Sequence, residues 1–217
     1  MSDRTAVTSG APRLRETVAG TRTTVAVAGA YAVAIMGAEA VAAFIAPVPA
    51  ATIDAVVLTA LLGQYVASGR RVYAALALVP LLRLTSVAVA LQHPLLFYVV
   101  SGVPVLLAVG LAADALDLPG VLRLDQIRLR SQWHIALGAV ALSGLASPLL
   151  RLAPVTADRS LPGLLGAAAI VFAFAGLLEE LVFRGIVQGA SAPLLGAWAV
   201  PAANALFSAT YLGSGSV

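Results

Sequence analysis

An all-α, polytopic transmembrane helix bundle of about seven spans is the fold this sequence predicts, and three observations carry the prediction. Hydrophobic residues make up 60% of the 217-residue chain and charged residues only 11%, where a soluble domain carries roughly a quarter charged. Apolar stretches of about bilayer-crossing length follow one another, several of them closed by proline or arginine. All thirteen basic residues are arginines, and most fall in the gaps between those stretches. Membrane topology therefore explains the net charge of +3 without a nucleic-acid partner. No cysteine is present, which excludes disulfides, a thiol nucleophile and cysteine metal ligands.

Taken in order, residues 1–23 form a polar arm with Arg4, Arg13, Arg15 and Arg22, expected to be unstructured and cytoplasmic. The transmembrane helical domain occupies 24–217. Its first span, 24–46, ends at Pro47 and Pro49. The long polar stretch ahead of it fits an uncleaved anchor better than a signal peptide. A second span, 53–68, is parted by Arg70 and Arg71 from a third, 72–91, and the fourth is 95–116. Residues 117–133, with Arg123, Arg128 and Arg130, are expected along the membrane surface. The fifth span is 135–150, the sixth 161–188, and the seventh ends near Leu212.

Arginines concentrate in alternate gaps, and basic residues favour the cytoplasmic side. The expected placement is multi-pass in the cell membrane, with a cytoplasmic amino terminus and helix six running inward. The turns 47–51 and 92–94 then face outside.

Charges inside spans must be paired or hydrated. Glu39 in the first span and Arg83 in the third are expected to bridge. Asp54 and Asp114, near span ends, are expected at the interface, and His93 and His134 fall in gaps. The most informative pair is Glu179-Glu180, at the end of an apolar run and one turn before Arg184. Glu180 and Arg184 are four apart and can pair on one helix face. Glu179, rotated by about 100°, is left free for general base chemistry.

Proline favours the first helical turn. The last helix is therefore expected to start at Pro201, with 191–200 an interfacial link around Trp198. Tyr211 then rises roughly 15 Å, level with the glutamates. Asn204, Ser208 and Tyr211 follow i, i+4, i+7 spacing and are expected to turn one polar strip toward them.

Glu179-Glu180-Leu-Val-Phe-Arg184-Gly185 resembles the Glu-Glu-x-x-x-Arg motif of the CAAX-protease and bacteriocin-processing (CPBP, or Abi) intramembrane metalloproteases. Phe207-Ser-Ala-Thr-Tyr211 falls where their Phe-x-x-x-His motif is expected. The similarity covers about residues 160–212. It implies an eight-helix bundle in the lipid bilayer that cleaves prenylated, precursor or membrane-protein substrates. It also implies a divalent metal, zinc by resemblance. By the same analogy Glu179 activates water, Glu180 and Arg184 organise the site, and the second-motif residue helps to hold water or metal.

The sequence departs from that pattern twice. Tyr211 stands where histidine is expected. An imidazole binds metal or water readily, whereas a phenol is protonated at neutral pH and is suited instead to donating to an oxyanion. The third motif, a histidine with Asn or Asp four residues on, is expected beyond Val217, so the sequence is read as a piece of a longer protein. The alternative to a peptidase is a catalytically inactive scaffold, immunity or partner protein derived from the family. A transporter built on Glu39, Asp54 and Arg83 comes third. Gly189-Ala-Ser191 carries no serine-protease reading, because no histidine follows it.

Overall fold

A computed structural model describes residues 11–88, 94–115 and 160–214. The surface stretch 117–133, the fifth span, His93 and His134 lie outside the described residues. Among those described, every element is helical: α1 (Ala11–Phe44), α2 (Pro47–Ser68), α3 (Arg71–Ala88), α4 (Pro94–Ala115) and α5 (Leu161–Val171). The chain then passes through two π-type stretches, Phe172–Leu177 and Glu180–Val187, into α6 (Gln188–Leu195). A 3-10 turn, Gly196–Trp198, leads to α7 (Ala199–Ser214).

Two expectations about helix starts are corrected. Residues 11–23 are helical rather than an unstructured arm, because α1 begins at Ala11. Pro12 sits in its first turn and Arg13, Leu14, Arg15 and Glu16 follow, a proline start and a run mostly of good helix formers. At 34 residues the helix is about 51 Å long at 1.5 Å per residue, more than the ~30 Å hydrocarbon thickness. Likewise α2 starts at Pro47 rather than near Ile53. Asp54 therefore lies two turns inside the helix, 1% exposed, and not at an interface.

The connections in this first part are tight. Ile45 and Ala46 both donate their backbone N–H to the Val41 carbonyl, at 2.9 and 3.0 Å. Gly69, at φ 65°, closes α2 by donating to Tyr65 O at 2.7 Å. That left-handed cap favours glycine, which has no Cβ to clash.

Packing follows membrane rather than aqueous rules. Small side chains such as Ala38, Ala75 and Ala77 are buried, while Phe44, Val48 and Val66 are largely exposed. Small residues let helix backbones approach closely, and large apolar ones can meet lipid. Among the described residues, four stretches are long and apolar enough to cross a membrane: Gly20–Phe44, Pro47–Ser68, Leu96–Ala113 and Glu180–Leu212. The last is long enough to span but is folded back on itself at Gly196–Trp198, so it forms a hairpin. Helices α1, α2 and α3 pack on one another, α3 continues onto α4, and α1 lies along α7. The expected bridge between the first and third spans is present, with Arg83 Nε 3.3 Å from Glu39 Oε2.

One close approach fixes α4 against the motif-bearing segment. A Cβ on Gly102 would run into the ring and Cβ of Phe174, whereas one on Gly110 would meet nothing within 4 Å. Overpacking typically costs about 1–3 kcal/mol. Gly102→Ala should destabilise the detergent-solubilised protein by that order and lower its thermal midpoint, and Gly110→Ala should not. Equal midpoints for the two variants would show that α4 does not pack here as described.

Candidate functional site

The two glutamates sit where the helix geometry changes. Before them, Leu178 N–H bonds to Ala173 O, five residues back, and after them Gln188 N–H reaches Phe183 O, again five back. Such π-type turns widen a helix and recur at functional sites. Glu179 itself has ordinary helical angles, φ −64° and ψ −41°. With Leu178 it joins the two altered stretches.

The adjacent carboxylates diverge. Glu180 Oε2 takes Arg184 Nη1 at 3.0 Å, an i, i+4 pair whose side chains are 50% and 61% exposed. Glu179 instead accepts a hydrogen bond at Oε2 from the Tyr211 hydroxyl, at 2.6 Å and across 32 residues of sequence. Burial is also unequal: Glu179 is half-buried and Glu180 exposed. One carboxylate is tied to a cation. The other is held by a neutral donor and keeps Oε1 for a further proton or hydrogen bond.

Tyr211 reaches Glu179 because the chain reverses between α6 and α7. The arms run antiparallel from the turn at Gly196, where φ is 55°. The link is shorter than expected: helix continues to Leu195, and α7 starts at Ala199, with Pro201 still in its first turn. The π-type stretch lets the longer descending arm match α7 in height, since wider turns climb less per residue.

A ring stack locks this register. Phe183 meets Phe207 edge-on at 5.1 Å and 67°, and Phe207 meets Tyr211 at 5.2 Å and 72°. Phe183 is 2% exposed and was missed in the sequence reading. The signal was available, because Glu179 and Phe183 are four apart, as are Phe207 and Tyr211. Each pair therefore shares a helix face, and antiparallel arms place acid opposite phenol and ring opposite ring.

The predicted polar strip is corrected. Asn204 and Ser208 are exposed, and neither hydrogen-bonds a carboxylate. The face of α7 turned inward is set by Ala203 and Leu206, both 3% exposed. Phe207 borders that face, while Asn204, Ser208 and Tyr211 lie on the exposed side of α7, from which the long Tyr211 side chain reaches Glu179.

The described donors do not by themselves suit a zinc ion. Catalytic zinc uses three protein ligands, and among the described residues no three His, Cys, Asp or Glu side chains gather. Glu179 and Glu180 point to different partners. A separate apolar cavity of ≈ 160 Å³, lined by Ala28, Val72, Leu76, Ser191 and Leu206 among others, includes neither glutamate.

Residues 161–216 match the family model described as type II CAAX prenyl endopeptidase Rce1-like. The match bears out, over this segment, the resemblance to the CAAX-protease family carried by Glu179–Arg184. No curated protein and no solved structure matches the chain.

The hydrogen bond and the ring stack are separable. Tyr211→Phe keeps the ring against Phe207 and removes only the hydroxyl. With Tyr211 53% exposed, the loss should stay below about 1.5 kcal/mol. Phe183→Ala should cost about 3–5 kcal/mol, as for a buried ring. Thermal unfolding in one detergent compares them, and a Tyr211→Phe loss as large as that of Phe183→Ala would contradict the division.

Proposed function

We propose that the protein is an intramembrane endopeptidase of the CAAX-protease type, with Glu179 as general base toward the attacking water. The observation that carries this reading is the Tyr211 hydroxyl on Glu179 Oε2 at 2.6 Å, inside the segment that matches the CAAX endopeptidase model. Glu179 takes a proton from water as the hydroxide adds to the scissile carbonyl. The tetrahedral intermediate then expels the amine, which receives that proton. Tyr211 orients the carboxylate by holding one oxygen. Arg184 holds Glu180 in an ion pair turned away from Tyr211, which leaves a single base. The substrates are prenylated, precursor or membrane-associated peptides. A divalent metal, zinc by the family resemblance, would need donors from beyond the described residues.

The setting is a multi-pass position in the cell membrane with the amino terminus cytoplasmic, supported by the arginine alternation. The exposure of the Glu180–Arg184 pair supports an aqueous or headgroup environment on that face, since an ion pair facing hydrocarbon is costly. Cysteines placed at Val48 and Gly69, both exposed, test the orientation. An impermeant thiol reagent applied outside should label the first only, and the reverse pattern would invert the topology.

One observation favours a second reading, an inactive scaffold, immunity or partner protein. The second-motif position holds a phenol already engaged on the carboxylate, where an imidazole could accept or coordinate. A quenched-fluorescent prenylated peptide in proteoliposomes holding the full-length protein separates the two. For a peptidase, Glu179→Gln should lower turnover by about 10²–10⁴ with membrane insertion unchanged, and wild-type turnover in that variant would sink the glutamate mechanism. For a scaffold, the wild type should be silent and Tyr211→His should gain activity or metal affinity.

A further inference from the structure

Among the described residues, a second concentration of charge lies away from Glu179, where α1, α2 and α3 meet. Glu39 from α1 and Asp54 from α2 are each 1% exposed. Arg83 from α3 is the cation that faces them, 3.3 Å from Glu39 and within electrostatic reach of Asp54. Among the described residues, two carboxylates and one guanidinium leave one negative charge uncompensated in an apolar bundle. Hydrogen bonding is unbalanced in the same sense. Glu39 Oε1 and Oε2 and Asp54 Oδ1 are buried acceptors without a hydrogen-bond partner, against one buried unpartnered donor atom, Arg83 Nη2.

Among the described residues, the other titratable side chains of α1, α2 and α3 lie at least two helical turns along their own helix from Glu39, Asp54 or Arg83. Tyr31 on α1 meets Tyr73 on α3 edge-on at 6.2 Å, and Tyr65 caps α2 through its backbone carbonyl. None of these phenols adds a positive charge at neutral pH. The charged side chain of Arg71 stands at the opposite end of α3, and Arg184 is committed to Glu180.

We infer that Glu39, Asp54 and Arg83 form a proton-binding site, in which one exchangeable proton sits on the Glu39–Asp54 pair. A single proton removes the excess charge and turns one orphan acceptor into a donor, correcting both imbalances together. A buried uncompensated charge is otherwise among the costliest features a bundle can hold. Asp54 is the better seat, because Glu39 already neutralises Arg83. The inference does not rest on the peptidase reading, since neither Glu179 nor Tyr211 takes part.

Folding then takes up a proton, and the sign follows. Above about pH 4 an unfolded carboxylate has lost its proton while the folded site keeps one. Stability therefore falls as pH rises, by up to tenfold in the folding equilibrium per pH unit, until the folded site itself deprotonates.

The test is infrared difference spectroscopy of the full protein in lipid, read at the carbonyl stretch of protonated carboxyls. Wild type should show such a band at neutral pH, shifted in D₂O and lost at alkaline pH. It should disappear in Asp54→Asn and persist in Glu179→Gln, which separates this site from the peptidase site. Asp54→Asn keeps the Glu39–Arg83 bridge and so should fold, with a thermal midpoint that no longer declines with rising pH. Absence of the band in wild type, or its survival in Asp54→Asn, would overturn the inference. Stabilisation by sodium but not choline chloride, without the band, would replace the proton by a metal cation.

Discussion

Every polar group inside an apolar bundle has to find its complement, and that constraint sets how these helices can be assembled. Apolar contacts between Ala, Val and Leu are non-directional, so alone they tolerate sliding and rotation of one helix on another. Directional contacts remove that freedom. Glu39 with Arg83 fixes α1 against α3, and Tyr211 with Glu179 fixes α7 against the segment before α6. Because α1 also lies along α7, the two registers belong to one assembly. A shift in either would strand a carboxylate, which is costlier than losing a few methyl contacts.

The hairpin about Gly196 turns this constraint into a site. An antiparallel pair of helices brings together residues equally far from the turn, so each spacing on one arm is met in reverse on the other. Glu179 and Phe183 thereby meet Tyr211 and Phe207. The rings supply the apolar contact that holds the arms together, and the hydroxyl supplies the directional one. The π-type turns adjust height along the descending arm, which an unbroken α-helix would have left out of step with α7. The geometry of this site depends on backbone irregularity as much as on side-chain identity.

How much of this was legible in the sequence depended on whether the deciding interaction was local. The Glu39–Arg83 bridge could be read, since two opposite charges in apolar spans have few alternatives. The membrane class and the Glu180–Arg184 pair followed from composition and from i, i+4 spacing. Asp54 sits near the start of the apolar run that opens at Ile53, but Pro47 starts the helix six residues earlier and carries the acid inward. Asn204 and Ser208 were assigned by polarity, but Ala203 and Leu206, which fit the packed interface, decide which face of α7 turns in. The π-type turns had no visible signal, because the sequence through Phe172–Val187 is equally compatible with a regular helix.

The contact between Tyr211 and Glu179 also bears on what a phenol can do where an imidazole is expected. A neutral imidazole offers both a donor and an acceptor nitrogen, so it can orient a carboxylate and still bind water or metal. A protonated phenol has one hydrogen to give, and here it is given to Glu179 Oε2. Its oxygen lone pairs remain but are weakly basic. Tyrosine therefore reproduces the positioning half of the imidazole's work and not the coordinating half. In the proposed peptidase Glu179 would be the aimed base, and electrophilic assistance to the carbonyl would have to come from a different group. That makes the position of Glu179 Oε1, rather than the identity of residue 211 alone, the feature on which the chemistry of this site turns.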